Sequence, residues 1–211
     1  MVLPPDDHVR NNTFKRLKLI SKEIRWFGDS LLRQTAIPFS VSELGSIEAR
    51  KMATELIEVL KQTRDHLGIG RGLAAPQIGI LKRMFVIYNS DVDKFDTFIN
   101  PVVNPTNGKY TSYYEMCLSG LPMAGEVIRP WEVQLGYYDL EGKHHELIID
   151  SILSRIVQHE NDHLDGILFI DRADLKTLYF EFDWATFKER NRLVIGELCY
   201  NSFVPQMIPQ I

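Results

Sequence analysis

Residues 148–166 read IIDSILSRIVQHENDHLDG, and one stretch within them limits what the chain can fold into. Ile152, Ile156, His159 and His163 are spaced by four, three and four residues, the period of one face of an α-helix. Ile149, Leu153 and Val157 widen that face into an apolar stripe. Both imidazoles therefore continue a surface that isoleucines bury, so a solvated polar patch is disfavoured. The spacing predicts a helix over 148–163 that lies inside the domain. Histidines at i and i+4 project one turn apart and can share a divalent ion. Glu160 sits about 100° around the helix from His159. There it can take a proton from water activated at the ion and return it to a leaving group.

A catalytic ion of this kind has three protein ligands and one open position. Gly166 fits the glycine of an HExxHxxGxxH pattern, but Phe169 stands where its third histidine would be. Glu181 and Glu189 are downstream carboxylate donors, and a zinc peptidase would use one of them. Cys117, in Glu115-Met116-Cys117-Leu118-Ser119, is the other candidate, although a cysteine in such surroundings is commonly a small buried hydrophobe. The residues alone leave these alternatives open.

Elsewhere the chain alternates short elements. A helix is expected over 41–66, with Met52, Leu56, Val59 and Leu60 on one stripe and Gly68 as its C-terminal cap. Arg83–Tyr88 reads as a buried strand, and Phe98–Pro101 as a short strand stopped by proline. Residues 126–149 alternate as a hairpin around Leu140–Lys143, and Trp184–Val194 forms a C-terminal helix. The arm before residue 41 mixes short apolar runs with turn residues. Strands surrounding a few helices give an α+β class. The 211 residues fit one catalytic domain over 1–211, with its motifs in about 15–175 and a helix and tail in about 176–211.

Charge and composition narrow the function. A net charge of −4 disfavours broad nucleic-acid or membrane-surface binding through charge. No apolar run approaches the ~20 residues that span a bilayer. The opening MVLPPDDHVRNN has two aspartates and no apolar core, unlike a secretory signal or a transit peptide. Two cysteines, Cys117 and Cys199, cannot make a disulfide framework, and a reducing cytoplasm leaves Cys117 free to bind metal.

Residues 70–77 read GRGLAAPQ; taken alone they are a turn before a strand. Together with EMCLS at 115–119 and QHENDHLDG at 158–166, they resemble the three motifs of the peptide deformylases, GxGLAAxQ, EGCLS and QHExDHLxG, in the same order. FGDSLLRQTAIP at 27–38 and FINP at 98–101 are similar to two further family segments, so the resemblance covers about residues 15–175. It implies antiparallel sheets packed around a central helix that carries the HExxH motif. It also implies a hydrolase of bacterial cytoplasm that removes the formyl group from formyl-methionyl nascent peptides, with transient ribosome association. Cys117, His159 and His163 would hold Fe(II), with nickel, cobalt or zinc as substitutes. Glu160 would be base and then acid, and Gln77 and the Leu118 N–H would hold the oxyanion. Ile152 and Ile156 would line the methionine pocket, and Gly72 would pair with the extended peptide. Glu115 and Arg129 would brace the ligand loop.

Three residues depart from the family pattern. Met116 replaces a glycine and would strain the loop if that glycine needs a positive φ, giving a protein of weak or altered activity. Arg71 and Arg155 replace aliphatic residues near the cleft, where their stems can cover apolar surface with their heads in water. His144 and His145 are expected to be solvated, and His66 to favour a helix C-terminus.

Overall fold

Helices and antiparallel strands alternate along the chain in the computed structural model, which describes residues 7–20, 23–106, 108–195 and 206–207. In order they are α1 (Asp7–Ile20), α2 (Ile47–Leu67), β1 (Gly72–Ala74), β2 (Met84–Asn89), β3 (Lys94–Pro105), β4 (Tyr110–Met116) and β5 (Met123–Pro130). There follow β6 (Val133–Tyr138), β7 (His144–Ile149), α3 (Ser151–Leu164), α4 (Phe169–Arg172), β8 (Tyr179–Phe180), α5 (Trp184–Ile195) and β9 (Gln206–Met207). One sheet has the order β1-β2-β3-β6-β7-β9 and the other β4-β5-β8. All their pairings are antiparallel.

The histidine-bearing helix lies between the two sheets. Leu153, Val157 and Leu164 of α3 bury against Phe85, Phe98, Leu135 and Ile149 of the larger sheet. From another side of α3, Ile152 packs with Tyr113 and Ala124 of the smaller sheet. Full burial of each such aliphatic side chain contributes roughly 1.5–3 kcal/mol, which holds the histidine-bearing side of α3 in place. This is the α+β arrangement expected from the sequence.

Several boundaries differ from expectation for identifiable reasons. α2 begins at Ile47, not near residue 41, because Ser46 caps it: its side chain accepts from the Ala49 N–H at 3.1 Å. Its other end matches, with Gly68 at φ 71° and Arg64 and His66 in the last turn. α3 begins at Ser151 because Ile148 and Ile149 pair with Gln134 and Val133 in the sheet. β3 runs through Pro101 because the ladder shifts register between Ile99 and Val102, so that proline lies at the irregularity. The arm that reads as irregular contains α1, whose Leu17 and Ile20 join α2 in the core. The hairpin at 140–143 and the helix α5 form as expected. Cys199 lies outside the described residues.

Candidate metal centre

α3 and the end of β4 bring the donors together. His159 and His163 stand one turn apart with ring centroids 5.1 Å from each other. Cys117, immediately after β4, places its Sγ 3.2 Å from His163 Nε2. One ligand atom from each of Cys117, His159 and His163 lies within 4.8 Å of the others. No other group of three histidine, cysteine or carboxylate side chains among the described residues converges in this way. The structure thus brings Cys117, and neither Glu181 nor Glu189, to the histidines. Phe169 is only 1% exposed and stacks near His159, with centroids 6.5 Å apart at 21°. It is a wall of the site, not a donor.

The donors fit a divalent metal. Burial lowers His163 well below its usual value, which keeps the imidazole neutral and able to ligate. Burial also lowers His159, but hydrogen bonds to Cys117 and Glu115 outweigh it and hold this ring well above its usual value. His159 Nδ1 lies 3.1 Å from Glu115 Oε2, so a proton shared there leaves Nε2 free as the ligand atom.

Glu115 is in turn immobilised. Arg129 donates to both its oxygens, at 2.7 and 2.9 Å, and Arg155 Nη2 donates at 2.9 Å. Burial opposes ionisation of Glu115, but the Arg129 and Arg155 charges and the His159 hydrogen bond hold it well below the usual carboxylate range. Arg129 also donates at 2.7 Å to Asp162, the residue before His163. Arg172 completes Asp162 with bonds of 2.7 and 2.6 Å. The expected Glu115–Arg129 brace is present, and Arg155 extends it. Arg155 is 2% exposed and also donates to the Thr111 and Val127 carbonyls, so the expectation of a solvated guanidinium is corrected. The sequence concealed this because its acceptors come from β4 and β5, distant along the chain. Replacing Arg129 by alanine removes three charge-assisted hydrogen bonds but leaves Glu115 with Arg155 and Asp162 with Arg172, and should lower unfolding stability by roughly 3 kcal/mol. Chemical denaturation of the two proteins measures that difference.

Glu160 is 4% exposed, and its Oε2 is buried without a hydrogen-bond partner. Burial pushes its carboxyl up to about 7, a value suited to exchanging protons near neutrality. Gly72 faces it: a Cβ there would lie 2.4 Å from Glu160 Oε1 and 2.8 Å from its Cγ. Glycine at this position thus makes room for the carboxylate, a constraint the sequence does not show. Gly72→Ala should displace Glu160 and lower kcat at least tenfold while the thermal transition stays cooperative; steady-state kinetics with a melting curve checks both.

Gln77 follows β1 in a short helical turn. Its Oε1 accepts from the Ala74 N–H at 2.8 Å, which turns its amide NH2 toward Cys117 Sγ at 3.5 Å and Ser119 Oγ at 3.1 Å. Leu118 adjoins Cys117 and is 8% exposed. An open cleft runs past these groups, lined also by Gly72, Met116, Ile152 and Ile156. All nine expected site residues therefore border one cleft or the donor cluster beneath it. β1 is the edge of its sheet, and the Arg71 carbonyl accepts from the Tyr88 N–H at 2.8 Å. By the antiparallel alternation, the N–H and C=O of Gly72 then face the outer edge of β1.

Met116 does not strain its backbone. It lies in β4 opposite Ala124 and is not among the residues with positive φ. Its side chain packs between two core clusters beside the cleft. His145, expected to be solvated, is half-buried, 2.6 Å from Asp139 and stacked on Tyr137.

A buried helix offering two imidazoles and a carboxylate, with the sulfur of Cys117 beside them, is the arrangement of a hydrolase of the HExxH class. The profile of the polypeptide deformylase family matches residues 21–178, and the chain belongs to that family. The peptide deformylase of Cytophaga hutchinsonii is 36% identical over 151 residues, covering 69% of this chain and 78% of the relative. The crystal structure of the Synechococcus elongatus deformylase in complex with actinonin is similar, with a TM-score of 0.65, 35% identity, and coverage of 72% and 80%. The Met-Ala-Ser-bound deformylase of Acinetobacter baumannii gives a TM-score of 0.62 at 30% identity, covering 71% of this chain and 96% of that one. Enzymes of this family are metal-dependent and remove the N-formyl group from nascent peptides, and that is the reaction of this chain.

Proposed function

We propose that Cys117, His159 and His163 hold the metal, Fe(II) in the cell, and that Glu160 moves the protons of deformylation. The observation that carries this assignment is the convergence of those three donors beside a buried, hydrogen-bond-free carboxylate in one cleft. A thiolate with two imidazoles also suits nickel, cobalt and zinc. When bound, the metal polarises the formyl carbonyl and acidifies a water beside it.

The chain's own groups do the rest. Formyl-methionine enters with its side chain against Ile152 and Ile156 and its backbone along the outer edge of β1 at Gly72. Glu160 takes the proton of the attacking water. As the carbonyl oxygen gains charge, the Gln77 amide and the Leu118 N–H donate to it; one such donor is commonly worth ~100-fold in rate. The Ala74 N–H fixes the Gln77 carbonyl end, so its NH2, which donates to Cys117 Sγ and Ser119 Oγ, is already turned toward the cleft. Glu160 then passes its proton to the departing amine, giving formate and a free N-terminus.

Residues 1–211 act as one catalytic domain, with α5 and the tail after the motif-bearing part. No described helix is long and apolar enough to cross a membrane. The site of action is the bacterial cytoplasm, on nascent chains during transient association with the ribosome. Product analysis on formyl-Met-Ala-Ser tests this function. Formate and intact Met-Ala-Ser are expected, whereas cleavage inside the tripeptide would identify a peptidase.

A further inference from the structure

The family match ends at residue 178, yet one wall of the cleft comes from beyond it. α5 lies against β4, an edge strand of the smaller sheet. Asn191 of α5, fully buried, accepts from the Tyr114 N–H at 2.9 Å and donates to the Tyr114 carbonyl at 3.1 Å. One side chain thus satisfies the outer edge of β4 as a neighbouring strand would, and it fixes the rotation of α5 about its axis. One turn earlier on the same helical face, Phe187 meets the Tyr113 ring edge-on, with centroids 6.4 Å apart at 82°. Phe187 is 6% exposed and borders the cleft.

The ring stands beside the groups assigned above to the methionine side chain. Phe187 shares one apolar cluster with Tyr113 and Ile152, and Met116 and Ile156 pack against that cluster. Ile152, Ile156 and Phe187 all line the cleft. The two isoleucines supply apolar area that any straight aliphatic side chain fills equally well. An aromatic ring adds a contact of another kind. A thioether sulfur about 5 Å from a ring, often at its edge, gains more there than a methylene does.

We propose that Phe187, held in place by α5, is a specificity-determining residue whose ring reads the sulfur of the formyl-methionine side chain. This rests on the deformylase reading of the cleft, with methionine against Ile152 and Ile156, and deepens it. Methionine carries its sulfur two bonds beyond Cβ, where norleucine, of nearly the same length and shape, has a methylene. The isoleucines hold either side chain. The ring favours the sulfur, so the discrimination acts in kcat/KM.

The test compares formate release from formyl-Met-Ala-Ser and formyl-norleucyl-Ala-Ser by the metal-loaded full chain. The methionyl peptide should lead in kcat/KM by about threefold, within the span of sulfur–aromatic contacts. Phe187→Leu keeps an apolar wall but removes the ring, and should bring that ratio to about one. Tyr113 is a poorer position to vary, because its ring also holds the Arg155 guanidinium 5.3 Å from its centroid. A merely structural role for Phe187 would slow both peptides alike and leave their ratio unchanged. Should Phe187→Leu fail to fold, Phe187→Met fills the space without a ring and reads the same ratio. Equal rates for the two peptides in the parent, or a ratio that survives loss of the ring, would overturn the inference while leaving the deformylase assignment standing. No formate from either peptide would overturn both.

Discussion

Cys117→Ala is expected to purify without stoichiometric metal and to release formate at less than about one-thousandth of the parent rate, because the proposed assignment makes Cys117 one of three donors to a catalytic ion. Two imidazoles alone leave the ion too weakly held for a catalytic occupancy. Loss of a buried sulfur also opens a small cavity, expected to cost on the order of 1 kcal/mol. The protein should therefore remain folded, and circular dichroism alongside metal analysis separates ligand loss from unfolding. A zinc peptidase ligated by Glu181 or Glu189 would behave otherwise and keep its metal. The structure already places Cys117, not those glutamates, with the histidines.

The second large effect separates chemistry from binding. Glu160→Ala should lower kcat by roughly 10²–10⁴-fold, the usual worth of a positioned proton-transfer group. The metal content should stay near that of the parent, since Glu160 is absent from the donor cluster. Gln is the informative companion: Glu160→Gln keeps the volume beside Gly72 but cannot take the proton, so it should be as slow as alanine. Metal loss in both variants would instead make Glu160 a ligand.

How much of this could be read from the sequence depends on whether the cause is local. The placement of His159 and His163 on a buried face follows from helical period and isoleucine spacing, and α3 buries Ile152, Leu153 and Val157 as that period requires. The C-terminal cap at Gly68 and the turn at 140–143 are likewise local chemistry. The third ligand was different. Composition left Cys117, Glu181 and Glu189 all open, and only the likeness of three separate motifs favoured Cys117. Boundaries failed where a tertiary or sheet contact overrode local preference: Ile148 and Ile149 look helical by period but pair with β6. Arg155 shows the limit most clearly. Its position beside Ile156 says nothing of Glu115, Thr111 or Val127, which folding brings to it. The space that Gly72 leaves for Glu160 is a contact across 88 residues of sequence, and no local signal marks it.

The departure at Met116 has a physical resolution. In an extended strand opposite Ala124, methionine meets no φ penalty, and its flexible thioether fills space between two core clusters. The donors, the carboxylate and Gln77 are all in place around it.

The most direct measurement is a metal titration of the apoprotein under exclusion of oxygen, with formate release from formyl-Met-Ala-Ser read at each step. Activity should rise linearly with added Fe(II) and level off at one equivalent per chain. A folded, iron-loaded protein that releases no formate, or formate release that is independent of metal, would contradict the account.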